Sequence, residues 1–472
     1  MFGKRGAGPR GPARSAGAGR LPPRATGGAP VLGHIAALRR DPLGFLRSLP
    51  AQGDVVEVGL GPVKAFVVCD PGLVRELLLN DRTFDKGGRF FDKGRQVVGD
   101  GLATCVHDRH RRQRRLLQPV FHPGRLPGYA QVMTEQARLL AGSWSDGLVI
   151  DVDAQMRKLA TGTVVRTLFT PAAGLAAETL TAVTHDLLEG LDRRLRNPVR
   201  ALERLPTPAT RRFERAKELM RAAVEQTVAA YRNAGGDQGD ALSILLQESG
   251  GDALDDAEIH DQVLTLLIGA TETTTDTLSW ALYLLARHPI LQQRLHETCI
   301  AVTGGHRPPR FEDLPALGFV DHFLTETQRL YPPVWVVTRK ARTAATLGPY
   351  AVPEGATLVY SPYLVHTRAD LYPRPEVFDP HRWADRTVLP SVDSAYLAFG
   401  AGPRKCIGDR FAMAEMTLAL AQIAQQWRLD PLDPTPVQPR ARVSLAPHGL
   451  HLRVRTRTSP HHPCSPEPPE GR

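Results

Sequence analysis

Cys406 is the residue whose surroundings say most about possible chemistry. It lies in the run Phe399-Gly400-Ala401-Gly402-Pro403-Arg404-Lys405-Cys406-Ile407-Gly408, whose glycines allow tight turns and close approach of backbone to a flat ligand. A helical pattern follows directly, and the unpaired amides and dipole at a helix entrance favour a thiolate over a thiol. Arg404, two residues earlier, can meet an anionic group on the same ligand. Taken alone, the run is also compatible with a glycine-rich loop that holds a phosphate, or nothing. The remaining cysteines, Cys69, Cys105, Cys299 and Cys464, show no C-x-x-C spacing. That pattern is neither a zinc site nor a disulfide framework, and an odd total of five fits a reducing compartment.

A second constellation is Leu266-Leu267-Ile268-Gly269-Ala270-Thr271-Glu272-Thr273-Thr274, inside a long helical pattern. Gly269 and Ala270 share a helical face with Thr273. Small residues beneath a hydroxyl leave room for a diatomic ligand, and the adjacent Glu272 can supply protons. Threonines here can also bond to helix carbonyls and bend the helix. A third is Glu326-x-x-Arg329, three apart on one helical face, followed by Leu330-Tyr331-Pro332-Pro333. By itself this is compatible with a surface ion pair. A fourth is His107-Asp108-Arg109-His110-Arg111-Arg112-Gln113-Arg114-Arg115, superficially a nucleic-acid or nuclear-localisation run. No aromatic platform or DNA-binding motif accompanies it, so no nucleic-acid partner is expected.

The Cys406 run resembles the F-x-x-G-x-R-x-C-x-G haem-binding loop of the cytochromes P450 at every specified position, Phe399, Arg404, Cys406 and Gly408 included. The resemblance implies haem b with Cys406 as axial ligand of the iron, donating electron density that promotes O–O cleavage. It implies that Glu272 and Thr273 form the acid and alcohol of the family's oxygen-activation motif, with Ala270 in place of the usual second glycine. It implies a structural Glu326–Arg329–Arg382 triad, Arg382 coming from Phe378-Asp379-Pro380-His381-Arg382-Trp383. In the family's W-x-x-x-R helix, His110 stands at the Trp position and Arg114 at the Arg position; with Arg339 they are expected at the haem propionates. Arg111, Arg112 and Arg115 then face outward, as a solvated face or a dock for an acidic electron donor.

The implied architecture is mainly α with small β-sheets, one catalytic domain over residues 21–455. Residues 1–20 and 456–472 are read as disordered segments. The implied reaction is monooxygenation, with O2 and NAD(P)H-derived electrons as co-substrates. Electrons arrive through a separate ferredoxin and ferredoxin reductase, since no flavin reductase is fused. A haem-thiolate sensor would not need Glu272 and Thr273, and in a peroxide-driven hydroxylase that pair is replaced. Phrases such as Thr83-Phe84-Asp85-Lys86-Gly87-Gly88 and Glu326-Thr327-Gln328-Arg329-Leu330-Tyr331-Pro332-Pro333 are similar to those of bacterial sesquiterpene oxidases of the pentalenene-oxidising kind. The expected substrate is therefore an apolar terpene of secondary metabolism, with fatty-acid, steroid and polyketide hydroxylation as alternatives. Its walls are sought in residues 84–98, 187–195, 266–270 and 335–337.

The elements that must position these residues are legible in outline. Val55–Leu60 and Ala65–Cys69 read as a hairpin across Gly61-Pro62, and Asp70-Pro71 opens a helix through Leu79. From about Gly128 to Leu330 the pattern is mainly helical, the longest helix running from about Asp255 to Arg287. An extended section spans Trp335 to Tyr360, an irregular one Pro362 to Arg404, and a helix resumes from Ile407 to Trp427. The 472 residues exceed the roughly 100–200 of one ordinary domain, yet no polar linker divides them. The net charge of +10 comes mostly from arginine, only 8 of 59 basic residues being lysine, and is compatible with an acidic partner. No signal-like apolar run and no stretch near the ~20 residues of a membrane span occurs, so a cytoplasmic monomer is expected.

Overall fold

The helix Asp256–Arg287 organises the molecule, and its start is written into two side chains. Asp255 accepts from the Glu258 amide at 2.8 Å while Glu258 accepts from the Asp255 amide at 3.3 Å, a reciprocal cap that satisfies two otherwise unpaired donors. Apolar residues then surround the helix almost completely. Val263, Leu264, Leu266, Leu267 and Ile268 enter one core with Leu117, Met133, Phe213 and Leu418. Leu278, Trp280, Leu282 and Leu285 enter a second with Phe323, Leu324, Leu420 and Ile423. Truncating a buried leucine such as Leu282 to alanine removes about 2–5 kcal/mol at sites of this kind. Between the two cores the helix turns small and polar, from Gly269 to Thr277. That interruption carries Glu272 and Thr273.

The structure, a computed structural model, describes residues 19–169, 177–196, 203, 205–234, 240–246, 254–384 and 395–457. Most of both terminal segments read as disordered, and Cys464 with them, lie outside the described residues. Beside the central helix run Val152–Leu168, Leu126–Gly142 and the C-terminal helix Asp409–Gln426. A five-stranded sheet packs against the helix Pro71–Leu79, its order Val55–Leu60, Val63–Val68, Thr357–Tyr360, Val337–Ala341, Phe84–Asp85. Val63–Val68 pairs in parallel with Thr357–Tyr360, Phe66 opposite Leu358, and the other pairs are antiparallel. Phe84, Leu358 and Tyr360 meet Val74 and Leu77 in a third core beneath the Cys406 loop's approach. Three smaller sheets of two or three strands complete the described β-structure.

The fold is the expected one, mainly α with small sheets, and several boundaries move for local reasons. The hairpin closes across Gly61-Pro62, so the second strand begins at Val63, opposite Leu60, not at Ala65; Gly61 has φ of 66°, which glycine adopts without strain. The helix after Cys406 begins at Asp409 rather than Ile407, and Trp427 already belongs to the next strand. The irregular section contains a short helix, Pro362–His366, capped by Ser361, and a tight turn Pro380–Trp383 capped by Asp379.

Candidate active site

The Cys406 loop is fixed from several directions. Gly400 and Gly402 have φ of 69° and 68°, and a Cβ on Gly402 would lie 2.4 Å from the Leu78 carbonyl oxygen. Only glycine permits that approach. The Cys406 amide donates to the Phe399 carbonyl at 2.9 Å and that of Lys405 to Gly402 at 3.0 Å. Arg114 Nη1 donates to the Lys405 carbonyl at 2.7 Å. Among the described cysteines, Cys69, Cys105 and Cys299 are buried and Cys406 is accessible. Burial pushes the Cys69 and Cys299 thiols up to about 12, which makes them inert. Burial also raises the Cys406 pKa, against the Gly408 amide, Arg114 and Lys405, with Asp409 adding to the rise. Cys406 is thus the accessible thiol among the described cysteines.

The polar interruption of the central helix has the same character. Gly269 is exposed and Ala270, Glu272 and Thr273 are partly so, within a helix otherwise buried on both sides. A Cβ on Gly269 would meet nothing within 4 Å. Thr273 Oγ1 donates to the Gly269 carbonyl at 2.9 Å, and Thr271, Thr275 and Thr277 repeat this bond to Leu267, Thr271 and Thr273. Of the expected wall 266–270, Leu266, Leu267 and Ile268 are core residues, and access begins at Gly269.

Cations crowd this region. His110 is buried and its Nδ1 has no partner; burial first, then Arg404, Lys86, Arg114 and His107, push its pKa down to about 2. Lys86, which donates to the Ala103 carbonyl at 2.6 Å, is pushed down to about 7 by burial, Arg404 and Arg339. Arg339 is buried over the Tyr360 ring, 5.6 Å from its centre. Arg404 is engaged by this chain's own acids: Nη2 bonds Asp85 at 2.7 Å, Nε Asp81 at 3.2 Å, and Nη1 the Cys105 carbonyl at 2.9 Å. Those carboxylates answer Arg404 and leave Lys86, Arg339 and His110 facing one another. A flat ligand carrying two carboxylates suits this cluster of cations, as it suits the open face at Gly269 and the accessible Cys406 thiol. Asp85 and Lys86 were expected only as part of the substrate wall 84–98, and Asp81 was not expected in the site. The repeated Phe-Asp-Lys-Gly phrase at 84–87 was the local signal for the first two.

Glu272 does not stand alone. Arg157, from the helix Val152–Leu168, forms an ion pair with it and a second at 3.1 Å with Asp153. The Ser444 hydroxyl reaches Glu272 Oε1 at 3.4 Å. Burial opposes the Arg157 charge, but Glu272, Asp153 and Asp276 outweigh it and hold its pKa up. Nothing in local spacing signals Arg157.

The Glu326, Arg329 and Arg382 side chains meet. Arg329 forks onto Glu326 with two bonds of 2.8 Å, and Arg382 Nε reaches Glu326 at 2.9 Å. Trp383 Nε1, at 2.9 Å, and the Asp379 amide, at 3.1 Å, complete the carboxylate's shell. Arg329 also donates to the carbonyls of His366 and Pro375 at 2.9 and 2.8 Å. Of the arginines expected outward, Arg111 and Arg115 are exposed, whereas Arg112 clasps Glu258 at 2.7 and 3.0 Å and ties its helix to the start of the central one.

A cleft of about 2150 Å³ is lined by Phe90, Asp192, Leu195, Trp335 and Val336, among others. It joins three of the four expected walls. Its rim is more basic than expected, with Arg40, Arg47, Arg89 and Arg193.

The chain resembles known proteins over most of its length. The family description "Cytochrome P450" matches residues 22–453. The chain is 41% identical over 438 residues to pentalenene oxygenase of Streptomyces avermitilis, covering 92% of this chain and 97% of that protein. It is 42% identical over 417 residues to cyclooctat-9-en-7-ol 5-monooxygenase of Streptomyces melanosporofaciens, covering 87% and 90%. Cyclooctatin synthase of the same organism is 40% identical over 436 residues, covering 91% and 94%. Among the described residues, no helix is long and apolar enough to cross a membrane.

Proposed function

The chain belongs to the cytochrome P450 family, and on that premise we propose that it inserts one oxygen atom of O2 into a cyclic sesquiterpene hydrocarbon of secondary metabolism. It is a haem-thiolate monooxygenase drawing electrons from redox partners. The finer reading is haem b, a ferredoxin with its reductase, a cytoplasmic monomer, and one catalytic domain over residues 21–455. The net reaction is R–H + O2 + two electrons + two protons giving R–OH + H2O.

Cys406 would hold the haem iron, with His110, Arg114, Lys86 and Arg339 toward its propionates and Arg404 holding the strand segment behind them. Bound there, the haem supplies O2 activation, and the thiolate supplies electron density. This chain's own residues do the rest. Gly269 and Ala270 leave space along the central helix. Thr273 holds a hydroxyl proton at Oγ1, and Glu272, beside it, delivers protons at its carboxylate. The cores on either side of the interruption exclude water.

The observation that carries this reading is the carboxylate and hydroxyl, Glu272 and Thr273, on the open stretch between two cores. The hydrocarbon substrate is supported by the names of the relatives and by chemistry. A hydrocarbon has no polar handle and binds through area, roughly 25 cal/mol per Å² removed from water. The basic rim of the cleft favours a second reading, a carboxylate-bearing substrate such as a fatty acid. The test adds pentalenene-like hydrocarbons and long-chain fatty acids separately to the oxidised enzyme and follows the haem spin state. A shift with the hydrocarbon supports the terpene reading. A shift with the acids alone, lost in Arg47→Ala or Arg89→Ala, overturns it.

A further inference from the structure

Val31 is 89% exposed, the most of any large apolar residue among those described. Its φ is 65°, a region that a β-branched residue enters only against steric strain. Leu32 and Val63 are 56% and 53% exposed. The three form one patch. The Gly61 amide donates to the Leu32 carbonyl at 3.2 Å, and Gly33 forms a bridge with Leu60, which lays residues 29–33 along the hairpin turn before Val63. Ile35, Pro62 and Val63 carry the patch into the large cleft, which they line. Single exposed aliphatics are ordinary on a protein surface; a cluster at a cavity mouth is not. Ten basic residues and four acidic ones line the same cleft. Three of the acids are occupied: Asp41 accepts from the Gly44 amide at 2.8 Å, Asp92 pairs with Arg95 and Asp192 with Arg196. Arg39, Arg40 and Arg47 belong to the helices Ile35–Arg40 and Pro42–Ser48 beside the patch, and all three are exposed. Arg39 donates to the Arg196 carbonyl at 2.9 Å; among the described residues no carboxylate pairs with it, with Arg40 or with Arg47. A hydrocarbon substrate gives these charges nothing to bind.

We propose that this lip is a docking surface for an anionic lipid bilayer, with Val31, Leu32 and Val63 entering the interface and Arg39, Arg40 and Arg47 meeting lipid phosphates around them. Apolar tips ringed by cations match the layering of such a surface, where headgroup charge lies outside and hydrocarbon beneath. Neither part suffices alone. Each arginine strengthens binding only several-fold, and three side chains remove too little apolar area from water to anchor a protein permanently. The attachment is therefore reversible and weakened by salt, which screens exposed charges. The use of the docking, though not the docking itself, rests on the hydrocarbon reading given above. A cyclic hydrocarbon leaves water for lipid by the same area effect that draws it into the cleft. A mouth seated on a bilayer receives it where it is concentrated.

Cosedimentation of the holoenzyme with vesicles, no substrate present, tests the surface. The parent should bind phosphatidylcholine vesicles containing about one third phosphatidylglycerol at least about 10-fold more tightly than pure phosphatidylcholine, and about 0.5 M salt should release it. Arg40→Glu combined with Arg47→Glu should weaken binding by about 10-fold or more. Arg111→Glu combined with Arg115→Glu makes the same charge change on the helix His107–Leu117 and should leave binding within about 3-fold. Val31→Asn suits the left-handed backbone, so it should melt no lower than the parent yet bind vesicles about 5-fold more weakly. Equal binding to both vesicle types, no binding to the anionic ones, or parental binding by either lip variant overturns the docking surface. Equal weakening by the Arg111 and Arg115 pair reduces the effect to net charge and overturns it also. Vesicle binding as expected, with no haem spin-state shift from any hydrocarbon, upholds the surface and overturns the hydrocarbon reading instead.

Discussion

His366 Nε2 accepts a hydrogen bond from the Leu397 amide at 2.8 Å. The ring's other nitrogen, Nδ1, donates to the Arg329 carbonyl at 3.1 Å. One buried imidazole therefore joins the Glu326–Arg329 pair to the chain two residues before Phe399, where the Cys406 loop begins. The stacked Tyr396 ring, 5.5 Å away, holds it in plane.

That link predicts an acid limit to stability. Burial, with Arg329 beside it, pushes the His366 pKa down from 6.5 to about 3. The unfolded chain therefore takes up this proton first, and its contribution is complete above pH 6.5 and lost as pH falls toward 3. The full loss is on the order of 5 kcal/mol. His366→Gln, which keeps one donor and one acceptor, should flatten the melting temperature between those pH values; an unchanged slope would assign the acid sensitivity elsewhere.

Arg329 and Glu326 are fully buried. Removing one partner of such a pair leaves an uncompensated charge and costs about 3–5 kcal/mol. Arg329→Met should lower denaturant stability by that amount, and Arg382→Ala by less, since its side chain reaches the surface edge of the cluster. Equal stability of Arg329→Met and the parent would refute the locking role.

Cys406→Ser should abolish the absorption band that the reduced, CO-treated enzyme shows and that names the family. Cys69→Ser and Cys299→Ser should keep it, because those thiols are sealed in the cores. A normal band in Cys406→Ser would remove it as the iron ligand.

Thr273→Ala should bind haem and substrate yet divert reducing equivalents to peroxide, with product per NAD(P)H falling by about 10²-fold or more. Thr271→Ala is the matched control. Its hydroxyl makes the same bond to a helix carbonyl, at 2.7 Å, but is buried away from the open face. Equal losses in both variants would mean that helix geometry, not proton delivery, is what the hydroxyl provides.

What the sequence made legible was whatever rests on short spacing. The helix start near Asp255, the proline start at Pro71, the glycines of the Cys406 loop and the Glu326–Arg329 pair rest on local patterns, and each appears where expected. Arg157, Ser444 and His366 were not legible, because each reaches its partner across the fold from a segment with no distinctive composition. Arg112 shows the converse. Its neighbours read as a uniform charged face, yet one turn of that helix points inward at Glu258. The basic rim of the cleft was hidden for the same reason, its arginines coming from three separate stretches of chain.

The bond between Arg404 and Asp85 spans 319 residues of sequence. On a ribosome adding about 5–20 residues per second, the two acids wait roughly 15–60 s for their cation. During that interval Asp81 and Asp85 belong to a segment destined for the interior and carry charge that the interior does not accept. The parallel pairing of Phe66 with Leu358 is delayed likewise. The amino-terminal third of the enzyme is thus committed to burial before it can be completed, and chaperone demand during synthesis should end only when the Cys406 loop emerges.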